Sequence, residues 1–125
     1  MPRANRHPNS LLNKYSLRGF VELENRDIVF DVGARTGTYT FFASAKVDTI
    51  VAIEPEPANL EILEYNAVEQ SNIQVCPYAA WNDNEQINLN VTASRSGHSV
   101  LDVDLRHRGG IVDKIKVPAR RIDTI

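Results

Sequence analysis

The chain has 125 residues, of which 42% are hydrophobic and 24% charged, and its formal net charge is -2. This length allows one domain at most, and the composition is that of a globular protein. The small negative charge gives no basis for nucleic-acid binding, and no apolar run approaches the ~20 residues that span a bilayer. A single cysteine, Cys76, excludes a disulfide within the chain, and the N-terminus lacks the apolar segment of a signal peptide. We therefore expect a cytoplasmic protein without nucleic-acid or membrane partners, with Cys76 as a core residue.

Residues 1–23 are predicted to form a polar arm followed by a helix. The arm covers residues 1–9, which are polar and interrupted by proline. From Ser10 to about Leu23, leucines and aromatic residues recur at a rough helical spacing, and Ser10 is a suitable N-cap. The remaining chain, residues 24–125, is predicted to be one α/β domain.

Three apolar runs separated by two helical segments carry the α/β prediction. Strands are expected over residues 27–31, 49–54 and 72–79, with helices over 38–45 and from 57 to about 70. The order strand, helix, strand, helix, strand is typical of a parallel sheet with right-handed crossovers. Apolar residues at helical spacing predict the core-facing side of the second helix: Leu60, Leu63, Ala67 and Val68.

The pattern changes after Trp81, where apolar and polar residues begin to alternate. Such alternation, separated by turns rich in serine and glycine, predicts antiparallel strands with one solvated face. The apolar positions concerned are Ile87, Leu89, Val91, Leu101, Val103, Leu105, Ile115 and Val117.

Acidic residues end the first two predicted strands. Asp31 ends the first run, and Gly33 and Gly37 follow it in a turn that leads into a helix. Glu54 ends the second run about 20 residues beyond the first glycine, where a carboxylate can accept hydrogen bonds from ribose hydroxyls. Ligands of open α/β sheets bind at this edge, outside the carboxyl ends of the strands. The pattern therefore predicts a nucleotide-like cofactor site.

The glycine turn differs from the dinucleotide-binding pattern. A pyrophosphate is held by Gly-x-Gly-x-x-Gly, and the middle glycine is missing here. Asp31 lies where its charge would repel phosphate, and it suits a cationic group such as an amino-acid ammonium. Ribose at Glu54 and ammonium at Asp31 fit S-adenosylmethionine better than NAD. A nucleotide-dependent oxidoreductase is therefore a disfavoured alternative.

Two segments carry a resemblance to a known family. Residues 31–40 read Asp-Val-Gly-Ala-Arg-Thr-Gly-Thr-Tyr-Thr, and residues 51–59 read Val-Ala-Ile-Glu-Pro-Glu-Pro-Ala-Asn. Over roughly residues 24–125 the chain resembles the FkbM-type family of S-adenosylmethionine-dependent methyltransferases, although Arg35 stands where that family usually has asparagine. The resemblance implies a Rossmann-like class I methyltransferase fold and the methylation of an oxygen on a small-molecule or sugar-like acceptor.

The resemblance also implies which residues bind S-adenosylmethionine, whereas it implies no metal site. Glu54 would hold the ribose, Pro55 would pack near the adenine, and Ala80 would border the other face of the adenine. The methionine and ribose side of the cofactor would be lined by four residues of the first strand end and its turn: Asp31, Gly33, Ala34 and Gly37. The residue that acts as general base is not assigned.

Simpler interpretations stand beside these assignments. Asp31 could only cap a helix, and Glu54 could only be a strand end at the surface. Asn59 could be a cap or a solvent-facing residue. Trp81 fits a core position as well as it fits a place beside the adenine. His98, in a predicted loop, is interpreted as a polar surface residue, with a role as general base as the alternative.

The family domain would continue beyond a segment like residues 117–124, so we expect the domain over 24–125 to be incomplete at its C-terminus. The strand at 27–31, central in the complete sheet, would then present an unpaired apolar edge. This edge predicts self-association or pairing with a partner, unless the N-terminal helix or a later strand covers it. The alternative function is a catalytically inactive cofactor-binding fragment that needs a partner or a missing C-terminal half.

Overall fold

The computed structural model describes residues 22–93 and 110–125. The predictions for the N-terminal arm and most of its helix, for Leu101, Val103 and Leu105, and for His98 lie outside the described residues. The elements in chain order are β1 (Ile28–Val32), α1 (Thr38–Ser44), β2 (Thr49–Ile53), α2 (Pro57–Ala67), β3 (Ile73–Cys76), β4 (Ala79–Ala80), β5 (Glu85–Thr92), β6 (Ile111–Arg120) and a 3-10 helix (Ile122–Thr124).

The first sheet is parallel and has the strand order β1-β2-β3. Phe30 of β1 is in register with Val51 of β2, and Ile53 of β2 with Cys76 of β3. The predicted order of strands and helices is confirmed, and β1, α1 and β2 lie within one residue of their predicted bounds. The carboxyl ends of the three strands meet at one edge, which is where the sequence predicts the site.

Both helices pack on the same face of this sheet. Leu63 of α2 is fully buried against Ala52 of β2, and Ala43 of α1 is fully buried against Ile50. The start of α2 is fixed by Glu56, whose carboxylate accepts a hydrogen bond from the Asn59 amide at 2.7 Å. The proline at the first helical position has no N–H that would need a partner there.

One predicted core position of α2 is wrong. Val68 is 80% exposed, whereas Leu63 and Ala67 are buried as expected. Val68 is the C-cap residue of α2 and keeps helical dihedrals, and the rotation of roughly 100° per residue turns its side chain away from the side that Leu63 and Ala67 share. In the part of the chain that the structure describes, no helix is long and apolar enough to cross a membrane.

The opposite face of the parallel sheet is covered only in part. Val51, Ile53 and Cys76 are buried there beneath Tyr78 and Ile125, so the interpretation of Cys76 as a core residue is confirmed. The β1 side of this face stays open, and three apolar side chains that alternate along the strand are exposed: Ile28, Phe30 and Val32. Among the described strands, β1 pairs only with β2, so it forms an edge of the sheet.

The predicted third strand is divided between two sheets. Pro77 follows β3 and has no N–H for the ladder, so the chain leaves the first sheet at this point. Residues 79–80 then form β4, which pairs with β6 in a second sheet of order β4-β6-β5. The antiparallel prediction is confirmed for β5 and β6, in which Leu89 lies opposite Ile115.

Candidate functional site

The candidate site begins where β1 ends and the chain turns into α1. Gly33, Arg35 and Gly37 all have left-handed backbone conformations, with φ of 79°, 55° and 99°. Glycine adopts this region at little cost, whereas an arginine there is strained by the approach of its Cβ to the carbonyl oxygen. Three such residues within five positions bend the backbone sharply at the carboxyl end of the strand.

The backbone amides of this turn are used inside the protein. Those of Gly33 and Ala34 donate to the carbonyl oxygen of Ile53, at 2.9 and 3.0 Å, and the Gly37 amide donates to the carbonyl oxygen of Ala34. The amide of Arg35 donates to Oε1 of Glu54 at 2.7 Å. A loop that binds phosphate points its amides at the ligand. These four amides are engaged elsewhere, so they cannot serve a phosphate.

A cleft of about 560 Å³ opens beside the turn. Gly33 adds to its openness, because a Cβ built on this residue would have no atom within 4 Å. The cleft runs from the exposed end of β1 to the start of α1, and its described lining consists of Phe30, Asp31, Val32, Gly33, Ala34, Arg35, Thr36, Thr38 and Tyr39.

Asp31 provides the negative charge of the cleft. Its Oδ2 accepts a hydrogen bond from the hydroxyl of Thr40, a fully buried residue of α1, at 2.6 Å. Burial raises the pKa of the Asp31 carboxyl, and the hydrogen bonds from Thr40 oppose this rise. Tyr39 lies close enough that burial and then the charge of Asp31 raise the pKa of its phenol. Burial removes some of the water around the Asp31 carboxylate, and one hydrogen bond from Thr40 replaces only part of it. Such a carboxylate is a strong partner for a cation.

Glu54 ends β2 and is 3% exposed. Both of its carboxylate oxygens accept hydrogen bonds from backbone amides. Oε1 accepts from the amide of Arg35, and Oε2 accepts from the amide of Glu56 at 2.9 Å. Burial raises the pKa of the Glu54 carboxyl, and the two amide hydrogen bonds act against this rise. The side chain therefore ties the β1 turn to the segment that follows β2. Each carboxylate oxygen has a second lone pair, so the group can still accept hydrogen bonds from a ligand.

Most of the chain matches a known protein family. The profile of the Methyltransferase FkbM domain matches residues 31–125. The chain belongs to the FkbM methyltransferase family. No curated protein is significantly similar in sequence.

One solved structure agrees with the family assignment in fold. A methyltransferase FkbM from Methylobacillus flagellatus KT is 18% identical, with a TM-score of 0.52 over 86% of this chain and 25% of that one. A phosphoethanolamine N-methyltransferase 1 from Haemonchus contortus is 9% identical, with a TM-score of 0.47 over 86% of this chain and 30% of that one. The present chain thus spans about a quarter of the length of the FkbM structure. The α/β prediction of a Rossmann-like class I methyltransferase fold is confirmed.

The structure brings some of the predicted FkbM site residues together at the cleft. Asp31, Gly33 and Ala34 line it. Gly37 lies behind the turn, where a Cβ would come within 2.6 Å of Phe41 and 2.7 Å of Leu63, so this glycine permits close packing of α1 and α2.

The other predicted cofactor residues lie outside the described lining of the cleft. These are Glu54, Pro55 and Ala80, and their contacts with a cofactor stay predictions. Glu54 adjoins the turn through the Arg35 amide, whereas Ala80 lies in the second sheet.

The alternative interpretations have different outcomes. Asp31 does contact α1 through Thr40, so it supports the helix as well as facing the cleft. Glu54 is buried and is not a surface strand end, and Asn59 is buried rather than facing solvent. Trp81 packs beside the core of the second sheet, and its indole N–H donates to Glu85 at 2.9 Å.

Three residues of the site were missed or left without a role by sequence reasoning. Tyr39 and Thr40 belong to the recognised segment 31–40, but which of them approaches Asp31 depends on the orientation of α1. The left-handed conformation of Arg35 could have been predicted from the sequence. The family usually has asparagine at this position, and asparagine tolerates the left-handed region better than most residues do.

Proposed function

We propose that the cleft binds S-adenosylmethionine and that the FkbM methyltransferase containing this domain methylates an oxygen of a small-molecule or sugar-like acceptor. The observation that carries the cofactor assignment is Asp31, a partly buried carboxylate in a cleft beside four turn amides that are bonded internally. The oxygen acceptor rests on the family resemblance.

The charges of the cleft favour an adenosyl amino acid over a dinucleotide. The carboxylate of Asp31 would attract the ammonium group of the methionine part and repel a pyrophosphate. The amides of Gly33, Ala34 and Arg35 are unavailable to phosphate oxygens. This arrangement supports S-adenosylmethionine and argues against the nucleotide-dependent oxidoreductase.

Open space at the turn and free lone pairs at Glu54 also support the proposal. The bare Cα of Gly33 allows a ligand to approach the backbone closely. Glu54 keeps lone pairs for ribose hydroxyls and is held in place by two amides. When bound, S-adenosylmethionine supplies an electrophilic methyl group on its sulfonium. The contribution of this chain would be to hold the donor in a fixed orientation and to shield it from water.

Isothermal titration calorimetry with S-adenosylmethionine, S-adenosylhomocysteine and NAD tests the cofactor assignment. We expect binding of the two adenosyl amino acids and none of NAD. Tighter binding of NAD than of S-adenosylhomocysteine would overturn the proposal.

A second candidate function is that of a cofactor-binding fragment that does not catalyse methyl transfer by itself. It is favoured by the exposure of Phe30 and Val32, two apolar side chains in the described lining of the cleft. A transfer assay with methyl-labelled S-adenosylmethionine and a panel of hydroxylated acceptors separates the two candidates. Transfer by the isolated chain supports the enzyme, whereas cofactor binding without transfer supports the fragment.

We also propose self-association through the edge of β1, and a cytoplasmic location. The first is supported by the edge position of β1 among the described strands and by its exposed apolar side chains. The second is supported by the single cysteine, Cys76, which is buried as a free thiol.

A further inference from the structure

Arg35 combines backbone strain with a place in the cleft. Its φ is 55°, a conformation that is strained for a residue other than glycine. It lines the cleft, and its side chain is exposed. A strained residue at a cleft is reason to ask what the side chain does there.

The structural role of this position does not need an arginine. The contact that ties the turn to β2 is made by the backbone amide of Arg35, which donates to Oε1 of Glu54. Any residue except proline supplies that amide. The guanidinium forms no ion pair with a residue in the described ranges, where the ion pairs are Arg26 with Glu24 and Arg121 with Asp123.

The cleft therefore offers two opposite charges that do not neutralise each other. Asp31 and Arg35 both line it, yet they form no ion pair, and Arg35 does not contribute to the pKa shift of the Asp31 carboxyl. The guanidinium charge does act on Glu54, where it lowers the pKa of that carboxyl against the larger effect of burial. An α-amino acid carries the matching pair, an ammonium and a carboxylate on one carbon atom.

We propose that Arg35 binds the carboxylate of the aminoacyl part of the ligand, while Asp31 holds its ammonium. The inference rests on the proposed function, since it deepens the assignment of the same cleft. A planar guanidinium donates two parallel hydrogen bonds to a carboxylate, which asparagine cannot do. Arg35 thus determines specificity for ligands that keep the amino-acid group.

The test compares two ligands that differ in the amino-acid group. S-adenosylhomocysteine carries it, whereas 5′-methylthioadenosine has the same adenosyl thioether without it. Dissociation constants for both are measured by calorimetry with the wild-type chain, Arg35→Gln and Arg35→Lys. Arg35→Asn, which also relieves the backbone strain, serves as a second neutral variant.

We expect Arg35→Gln and Arg35→Asn to weaken binding of S-adenosylhomocysteine by about tenfold, the usual scale of one charge-assisted pair. Binding of 5′-methylthioadenosine should change less than about twofold, because it offers the guanidinium no carboxylate. Arg35→Lys should fall in between for S-adenosylhomocysteine, since it keeps the charge and loses the planar fork. Thermal melting of each variant controls for folding.

Equal losses for both ligands, or no loss for either, would overturn the role of Arg35. Those results leave the cofactor assignment standing, because the wild-type chain still binds S-adenosylhomocysteine. If the wild-type chain binds neither ligand, the proposed function is rejected and the role of Arg35 with it.

Discussion

The two strand ends of the parallel sheet carry the same functional group in different surroundings. At the end of β1, Asp31 faces a cleft and accepts a side-chain hydrogen bond from Thr40. At the end of β2, Glu54 is buried and accepts backbone amides from Arg35 and Glu56. Burial raises the pKa of both carboxyls. The cleft at β1 is therefore suited to bind, and the network at β2 is suited to hold the turn in shape.

The Glu54 carboxylate mainly stabilises the fold, whereas the Asp31 carboxylate is placed to bind a ligand. Removing Glu54 leaves protein donors without an acceptor, whereas replacing Asp31 by asparagine keeps an acceptor for Thr40. The consequences for stability and for binding should therefore differ between the two strand ends.

The largest loss of stability is expected for Glu54→Ala. The change leaves the amides of Arg35 and Glu56 without their acceptor, at about 1–3 kcal/mol for each buried group. We expect the free energy of unfolding to fall by about 2–6 kcal/mol in urea denaturation, the sum for the two amides. Binding of S-adenosylhomocysteine should weaken by about 1.5–3 kcal/mol if ribose hydroxyls bond to this group.

Glu54→Gln is the matched control, because its single carbonyl oxygen can still accept one of the two amides. Its loss of stability should be about half that of Glu54→Ala. An alanine variant as stable as the wild type would show that the two amides find other partners, and the contrast between the strand ends would fail.

The glycines of the turn provide the second contrast. A Cβ at Gly37 would lie 2.6 Å from Phe41 and 2.7 Å from Leu63 and would also meet the strain of a positive φ, so Gly37→Ala should lower the free energy of unfolding by about 2–5 kcal/mol. Gly33→Ala meets open space and carries only the strain of its positive φ, about 1–2 kcal/mol. Gly33→Ala should instead weaken ligand binding, because its methyl group would project into the cleft. Equal binding by both variants would contradict this assignment.

Asp31→Asn is expected to reduce binding without reducing stability. Burial raises the pKa of the Asp31 carboxyl above 3.8, so folding favours the protonated form and the ionised form costs stability at neutral pH. The asparagine variant should gain stability relative to the wild type as the pH rises from below 3.8 through the raised pKa. Affinity for S-adenosylhomocysteine at pH 7 should fall about tenfold, since the ammonium loses a charged partner.

Binding to the wild-type chain should also weaken as the pH falls through the raised pKa of Asp31, whereas the variant should keep only the pH dependence that comes from Glu54, whose pKa is also raised by burial. Calorimetry at several pH values and urea denaturation at the same values provide the two measurements. A variant that loses stability and keeps its affinity would assign Asp31 to the fold alone.

The smallest effect concerns the open side of β1. Phe30 and Val32 are exposed there, and burying such side chains in a dimer contributes about 25 cal/mol per Å² of apolar area. We expect Val32→Lys to shift sedimentation equilibrium towards the monomer, with Val68→Lys, an exposed residue after α2, as control. A wild-type chain that stays monomeric at high concentration would reject self-association through this edge.

The parallel sheet could be predicted from the sequence because the patterns that indicate its strands and helices are local. Apolar runs, glycines and a proline at a helix start fix β1, α1, β2 and the start of α2 to within one residue. The prediction failed where a single residue redirects the chain. Pro77 interrupts the third apolar run, and a run-based prediction counted both sides of it as one strand.

The site could be predicted in type but only partly in geometry. Strand ends and glycine spacing indicate which residues approach the edge of the sheet, and Asp31, Gly33 and Ala34 do line the cleft. Gly33 opens the cleft, whereas Gly37 permits close packing of the two helices. This difference depends on the atoms that surround each Cα, which the spacing of the glycines does not reveal. The burial of Glu54 likewise depends on amides contributed by residues 35 and 56.

The most direct test is an NMR titration of the isotope-labelled chain with S-adenosylhomocysteine. We expect the largest amide shift changes to fall on residues 31–40, around the cleft, with small changes in β5 and β6 of the second sheet. No shift changes, or changes concentrated in β5 and β6, would contradict the claim that the end of β1 is the binding site.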